Sequence, residues 1–211
     1  EEKALNGSFG VTASFGDFTA TVDGYYIKVK DRIVLTGYFD AKPLNLGVDK
    51  AQFFVNGVGG IIVEVEAYYQ AEPASHTFSG PSVRNASMFG PPGRAYVYRS
   101  YGIHWCLNFV CAPDGHGAGV LIRAIQPTQG LDIMRERRGV AVDRLLCSGP
   151  GRVGQALDIV HAFNGRSLAQ TPFKLLPAIA PVDVVHGPRI GISKAMDLPW
   201  RFCLAGSPFL S

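Results

Sequence analysis

A two-residue alternation of apolar and polar side chains most constrains how this 211-residue chain can fold. The alternation is clear in residues 7–39, 51–69 and 95–111, and Asn56-Gly57 is a typical turn pair within the second run. Successive side chains of a strand point to opposite faces of a sheet, so this period predicts strands with one buried face, joined by short turns. We therefore expect a sheet in which antiparallel neighbours predominate.

The first forty residues are expected to form a part of their own. Turn signals at Gly16-Asp17 and Asp23-Gly24 divide residues 7–39 and predict a meander of three strands. We interpret residues 1–40 as a β-rich N-terminal extension of unknown role and residues 41–211 as a single domain.

The single domain combines strands with a long loop and helices. Residues 70–94 are rich in Pro, Ser, Gly and Asn, the composition of an ordered loop that carries binding groups. The run 95–111 predicts a hairpin with Tyr101 at its tip. The remaining predicted elements are a possible turn at Gly59-Gly60, a strand over 118–125 that ends near Arg123, a helix over Gly130 to Arg138 with Leu131 and Met134 inward, a helix through Gln155 to Leu157, and a tail of strand and loop. The predicted fold class is α+β, a mixed α/β domain around a curved, antiparallel-rich sheet.

Cysteine usage and hydropathy point to the cytoplasm. The four cysteines show neither paired metal-ligand spacing nor a disulfide framework, which favours a reducing compartment. No run of about eighteen uncharged apolar residues is present, and the start Glu1-Glu2-Lys3 lacks the features of a signal peptide. We expect no membrane partner.

The charge distribution permits binding to nucleic acid. Residues after Lys50 contain fourteen Lys and Arg against ten Asp and Glu, and twelve of the fourteen are arginines. The planar guanidinium suits bidentate contacts with phosphate. This excess is modest and does not by itself identify a partner.

A carboxylate beside a set of aromatic residues is the candidate site. Glu66 follows Glu64 on the strand that ends at Tyr68, and His76, Tyr96, Tyr98 and Tyr101 come soon after. Aromatic faces stack on any flat base, and a carboxylate can activate water, so the set suits a base that is cut from its sugar. An ordinary strand with glutamates on its exposed face would show the same alternation.

Lysine and histidine placement argues against two other chemistries. No lysine lies between Lys50 and Lys174, the stretch that carries the proposed pocket. We therefore expect that no Schiff base forms and that the nucleic-acid strand is left intact. His76, His104 and His116 lack the spacing of metal ligands. We predict neither a metal nor a cofactor.

Five ordered blocks of residues carry a resemblance to a known family. They are Ile62-Val63-Glu64-Val65-Glu66-Ala67-Tyr68, Ala74-Ser75-His76, Arg84-Asn85-Ala86-Ser87-Met88-Phe89, Tyr96-Val97-Tyr98-Arg99-Ser100-Tyr101-Gly102 and Leu146-Cys147-Ser148-Gly149-Pro150. From about Asn56 to Ser211 the chain resembles the alkyladenine (3-methyladenine) DNA glycosylases of the human-type fold. Asp40 to Gln52 lack a counterpart of the family's upstream helix.

The resemblance implies a monofunctional enzyme that flips alkylated or deaminated purines out of duplex DNA and hydrolyses their N-glycosidic bond. By position, it implies that Glu66 activates the attacking water and that Tyr101 fills the vacated base stack. It also implies a base pocket of Tyr68, His76, Tyr98 and Asn108, with Asn108 excluding guanine, and a DNA contact by Arg123. Residues 41–211 would then be the catalytic domain, acting as a monomer on double-stranded DNA.

Three alternatives remain open from the residues. Glu64 could take the role of Glu66, although a surface carboxylate near the sheet edge would explain it equally well. The chain could bind distorted DNA without cutting it. A metal-dependent hydrolase that uses the histidines is the third.

Overall fold

The computed structural model describes residues 3–15, 18–30, 51–176 and 182–211. Contacts divide the chain into two units, Glu1–Val34 and Leu35–Ser211. In the first unit, β1 (Lys3–Phe15) and β2 (Phe18–Lys30) pair antiparallel.

One of the expectations for the N-terminal unit can be compared with the observed strand pairing. The predicted turn at Asp23-Gly24 is wrong, because both residues lie inside β2, opposite Gly10 and Phe9. The ladder is continuous from one end of the hairpin to the other, so extended pairing prevails over the local turn signal. The Gly16-Asp17 turn and the predicted third strand lie outside the described residues.

The second unit contains, in its described part, an eight-stranded sheet and two α-helices. The strands follow the order β5-β6-β7-β4-β10-β9, with β3 paired to β4 and β8, and each of these pairs is antiparallel. The prediction of an α+β fold around a curved antiparallel sheet is confirmed. The strands are β3 (Gln52–Val55), β4 (Val58–Tyr69), β5 (Ala95–Ser100), β6 (His104–Val110), β7 (Ala118–Gln129), β8 (Phe173–Leu176), β9 (Val184–Gly187) and β10 (Arg201–Leu204), and the helices are α1 (Leu131–Arg138) and α2 (Pro150–Ala156).

Several predicted elements are longer or shorter than expected. The strand expected to end near Arg123 runs on to Gln129 as β7, and the helix expected through Gln155 begins at Pro150. Met134 of α1 is fully buried as predicted, whereas Leu131 is only partly buried. No helix within the described ranges combines the length and hydropathy needed to cross a membrane.

The hydrophobic core lies between the sheet and the two helices. Phe53 of β3 forms its aromatic centre, with its ring 5.0 Å from Phe109 and 5.7 Å from Phe173 between centroids. Met134 and Val153 bring α1 and α2 onto this core, and both are fully buried. Because core packing fixes the strands, the polar residues of β4 and β7 are held on a rigid frame.

Gly59 and Gly60 lie within β4 and do not form the predicted turn. A Cβ atom on Gly59 would lie 2.0 Å from the Phe53 carbonyl oxygen, and one on Gly60 would lie 2.0 Å from the Gln126 carbonyl oxygen. The glycines are required by the close approach of neighbouring strands. The turn is made by Asn56-Gly57, where both residues have positive φ.

Helix α2 packs unusually close to β6. A Cβ atom on Gly154 would lie 2.0 Å from the Trp105 carbonyl oxygen, and one on Gly151 would lie 2.8 Å from the His104 ring. Since β5 and β6 form the hairpin that ends in Tyr101, this contact supports the part of that hairpin next to its tip.

We predict that Gly154→Ala lowers the free energy of unfolding by about 1–3 kcal/mol, because backbone must move to admit the methyl group. Thermal denaturation followed by circular dichroism measures the effect. Gly187→Ala is the control, since a Cβ atom there meets nothing within 4 Å. Equal melting temperatures for the two variants would contradict the close contact.

Candidate active site

The two glutamates of β4 are buried, so the interpretation of a strand with an exposed acidic face is wrong. Glu64 is 1% exposed and Glu66 is 0% exposed. Strand β4 lies inside the sheet, hydrogen-bonded to β7 and to β10, and its polar side chains are covered by residues that are remote in sequence. A buried carboxylate is costly unless charges and hydrogen bonds compensate it.

Glu64 receives that compensation from two arginines and from Ser211. Its Oε1 is 3.1 Å from Nε of Arg123 and 2.7 Å from Nε of Arg201, and Oε2 accepts from the Ser211 amide at 2.6 Å. Burial raises the pKa of Glu64, but the hydrogen bonds from Ser211 and Arg201 and the charge of Arg201 outweigh it, and the pKa is lowered overall. Glu64 is therefore not the surface carboxylate at a sheet edge that we considered.

Glu66 is held by three donors from three parts of the chain. Its Oε1 accepts from the Ile190 amide at 2.7 Å, and its Oε2 accepts from the Tyr68 hydroxyl at 2.9 Å. Nη1 of Arg123 lies 3.3 Å from Oε2. These contacts fix the orientation of the carboxylate.

A cavity of about 710 Å³ is lined by the three residues that hold this carboxylate. Its lining contains all four predicted pocket residues, namely Tyr68, His76, Tyr98 and Asn108, together with Tyr96, Tyr101, Arg123 and Ile190. Glu66 is not part of the lining, but each of its three donors belongs to a residue that is. The structure thus brings the predicted residues together and places the acid one layer behind the cavity wall.

Three aromatic rings form one wall of the cavity. The Tyr96 and Tyr98 rings stack with centroids 5.6 Å apart, and the His76 ring meets Tyr98 edge to face at 4.5 Å. Nδ1 of His76 is hydrogen-bonded to the Tyr96 hydroxyl at 3.0 Å. Tyr96 is 1% exposed, so it has the core position that the alternation predicts while also lining the cavity.

Burial shifts the pKa values of these rings in the directions that favour their neutral forms. It lowers the pKa of His76 below 6.5, with a further contribution from the nearby charge of Arg84. It raises the pKa of Tyr96 to about 12 and raises that of Tyr98 further. The wall is therefore uncharged at neutral pH and suited to stacking.

Asn108 lies across the β5–β6 ladder from Tyr96. Its amide nitrogen donates to the Tyr96 carbonyl oxygen at 3.3 Å, and the residue is 4% exposed. This hydrogen bond fixes the orientation of the amide at the cavity wall.

Tyr101 stands at the tip of the β5–β6 hairpin, as predicted. It is 89% exposed and has a φ of 49°, and Gly102 follows with a φ of 70°. A tyrosine in the left-handed region costs energy that the fold must offset, and such residues are concentrated at functional sites. Ile103, 66% exposed beside it, is a tip residue that the sequence reasoning did not single out.

Arg123, for which the resemblance implies a DNA contact, lies in the interior. It is 7% exposed, and its guanidinium is engaged by Glu64 and Glu66. The two carboxylates lie on the neighbouring strand β4, and charge pairing in the interior explains its orientation.

The tail contributes a cavity segment that the sequence reasoning missed. Residues 190–194, which lie between β9 and β10, line the cavity, and they include Lys194. The expectation of a pocket without lysine is therefore wrong, because antiparallel pairing of β10 with β4 brings the tail to the site. Long sequence separation hid this contact, and no local pattern reveals it.

The described side chains that could bind a metal ion do not form a cluster. Among the side chains described, no three His, Cys, Asp or Glu residues form a group that could hold a metal ion. All four cysteines are free and buried.

Comparison with known proteins places the chain in a family. The family model for methylpurine-DNA glycosylase matches residues 48–208. A relative from Nitrosospira multiformis is 69% identical over 161 residues, which cover 76% of this chain and 83% of the relative. Relatives from Nitrobacter winogradskyi and Rhizobium meliloti are 62% and 59% identical, with 77% and 85% of their lengths covered.

All three relatives carry the name "Putative 3-methyladenine DNA glycosylase". The matched region contains β4, the β5–β6 hairpin and the tail segment, and so the whole candidate site. The chain therefore belongs to the methylpurine-DNA glycosylase family, and it is a hydrolytic DNA glycosylase of that family.

Proposed function

We propose that this chain excises alkylated and deaminated purines, such as 3-methyladenine and hypoxanthine, from double-stranded DNA and leaves an abasic site. The observation that carries the proposal is the Glu66 carboxylate, held by three donors behind a cavity with aromatic walls. The names of the relatives support 3-methyladenine as a lesion. Membership in a family of hydrolytic enzymes favours catalysis over DNA binding alone.

The cavity suits one flipped purine. Its volume of about 710 Å³ lies within the usual range for ligand sites. Tyr68 and the wall of His76 and Tyr98 offer aromatic faces on which a flat base stacks. A base inside a duplex cannot reach such a wall, so the nucleotide must rotate out of the helix first.

Glu66 then activates a water molecule that is bound where Tyr68, Arg123 and Ile190 meet at the cavity wall. The water gives a proton to the carboxylate, and its oxygen forms a bond to the anomeric carbon of the sugar. The N-glycosidic bond breaks, and its electron pair stays on the base nitrogen. Until it takes that proton, the negative charge of Glu66 also stabilises the positive charge that develops on the sugar.

The charge of the damaged base determines whether it must be protonated before it leaves. A base that carries a positive charge, such as 3-methyladenine, leaves as a neutral molecule when it takes the electron pair. Hypoxanthine is neutral and needs a proton on its ring before it departs. We therefore expect faster release of cationic lesions than of hypoxanthine.

The remaining residues select and hold the base. His76 is neutral at the cavity wall and offers one ring nitrogen to Tyr96, which leaves the other available to a base. Asn108, fixed by its bond to Tyr96, crowds the exocyclic amine of guanine and so excludes that base. Arg123 contacts the reacting part of the nucleotide from the cavity lining, and Tyr101 occupies the space that the flipped base leaves.

The enzyme acts in this proposal as a monomer, with the described cavity as its complete site. The three relatives named above are bacterial, which supports a cytoplasmic location with the DNA.

We predict that Glu66→Gln lowers the single-turnover rate of purine release by about 10²–10⁴-fold, because the amide cannot accept the proton of water. Binding to DNA that contains a stable abasic analogue should persist. Chromatography of the released free purine measures the reaction. The DNA strand should be cleaved after alkali treatment and not before it. Glu136→Gln on the exposed face of α1 is the control, and parental turnover by Glu66→Gln would exclude the assignment.

We predict that His76 titrates with a pKa below 6.5 because burial and the charge of Arg84 both disfavour the imidazolium ion. Arg84→Gln removes one cause and should raise this pKa while leaving it below 6.5. Imidazole NMR signals, assigned with His76→Gln, measure it across the acid and neutral range. Arg144→Gln at an exposed position is the control, and a downward shift in Arg84→Gln would contradict the account.

We predict that Tyr101→Ala slows excision about tenfold when the lesion is paired, since the ring no longer offsets an unstacking cost of a few kcal/mol. The loss should be smaller when the lesion lies opposite an abasic position, where less pairing must be broken. Single-turnover rates on the two duplexes give the comparison. Val142→Ala, at another exposed apolar residue, serves as the control, and an equal loss on both duplexes would argue against insertion.

A further inference from the structure

Arg189 forms a buried junction behind the cavity, and the established activity does not assign it a role. Its side chain is fully buried and makes a bidentate ion pair with Glu72, at 2.7 Å and 3.0 Å. The guanidinium lies over the Tyr68 ring at 4.6 Å and over the Trp200 ring at 5.3 Å. The two rings belong to the end of β4 and the approach to β10, so the arginine joins these segments.

Backbone contacts place this junction next to the catalytic carboxylate. Nη1 of Arg189 donates to the carbonyl oxygen of Ala67, the residue after Glu66, at 2.9 Å. The next amide in the tail, that of Ile190, donates to Glu66 at 2.7 Å. Arg189 therefore fixes the position of a donor that orients the carboxylate.

Glu72 extends the junction toward the base pocket. Its Oε2 also accepts from the Ala74 amide at 2.8 Å. Ala74 lines the cavity and lies two residues before His76. One ion pair thus holds both the tail segment over the cavity and the start of the loop that carries the histidine.

The energetics favour a positioning role over a purely stabilising one. A buried ion pair contributes little net stability because desolvation offsets the attraction. Nε of Arg189 is a buried nitrogen with no hydrogen-bond partner among the described residues, which adds to that cost. A costly, incompletely satisfied pair beside a reacting group is better explained by the geometry that it imposes.

We propose that Glu72 and Arg189 are positioning residues that hold the Ile190 amide on Glu66 and so keep the carboxylate directed at the attacking water. This inference rests on the proposed role of Glu66. Neither residue touches the substrate. Their loss should therefore reduce the rate of bond cleavage and leave the binding of DNA nearly unchanged.

The double variant Glu72→Gln/Arg189→Met tests the proposal. It removes both charges together, which buried pairs tolerate better than the loss of one partner. We expect the single-turnover rate of 3-methyladenine release to fall about 10-fold to 100-fold, since small displacements of a catalytic group have effects of this size. The Kd for duplex DNA with a stable abasic analogue should stay within about threefold of the parent, and Arg189→Lys, which keeps the charge without the bidentate geometry, should give an intermediate rate.

Met134→Ala, a variant in the core on α1 at a residue that does not line the cavity, is the control for lost stability. It should lower the melting temperature and retain the parental rate. The proposal is overturned by a folded double variant with the parental rate, by parallel losses of rate and affinity, or by an equal loss in Met134→Ala. If the double variant does not fold, Glu72→Gln alone is judged by the same criteria. Parental turnover by Glu66→Gln would instead overturn the role of Glu66 itself, so the two failures are distinguishable.

Discussion

The burial of carboxylates on and beside β4 is the interaction on which the rest of the structure depends. Glu64 and Glu66 are inside the protein, and each charge that enters the interior costs several kcal/mol unless it is paired. Arg123 serves both glutamates, and Arg201 and the Ile190 amide come from the tail. The carboxylates therefore bind together strands that are far apart in sequence, and the cavity forms where these strands meet.

Much of the fold could be predicted because it follows local rules. Period-two alternation located β4 and the β5–β6 hairpin, and Asn56-Gly57 marked a turn whose positive φ values suit those residues. The position of Tyr101 at a hairpin tip followed from the same pattern. Gly59-Gly60 was misread because a glycine required by close strand packing has the same sequence signal as a glycine required by a turn.

The candidate site was predicted in part, and the missing part depends on long-range contacts. The resemblance to a family indicated the residues that line the cavity, but alternation alone assigned Glu64 and Glu66 to an exposed face. The partners that bury them, Arg201 and the tail segment, lie more than a hundred residues later in the chain. No periodicity connects Glu72 with Arg189, and only the pairing of β10 with β4 shows why they meet.

The central claim is that the Glu66 carboxylate acts on the sugar of a nucleotide bound in the cavity. It is tested most directly by a crystal structure of the protein with duplex DNA in which a cationic pyrrolidine replaces the sugar of the lesion. The account predicts an extrahelical pyrrolidine at the cavity wall, with its charged nitrogen joined to Glu66 through one ordered water molecule. A pyrrolidine that remains stacked in the duplex, or one that binds away from Tyr68 and Arg123 with no water path to Glu66, would contradict it.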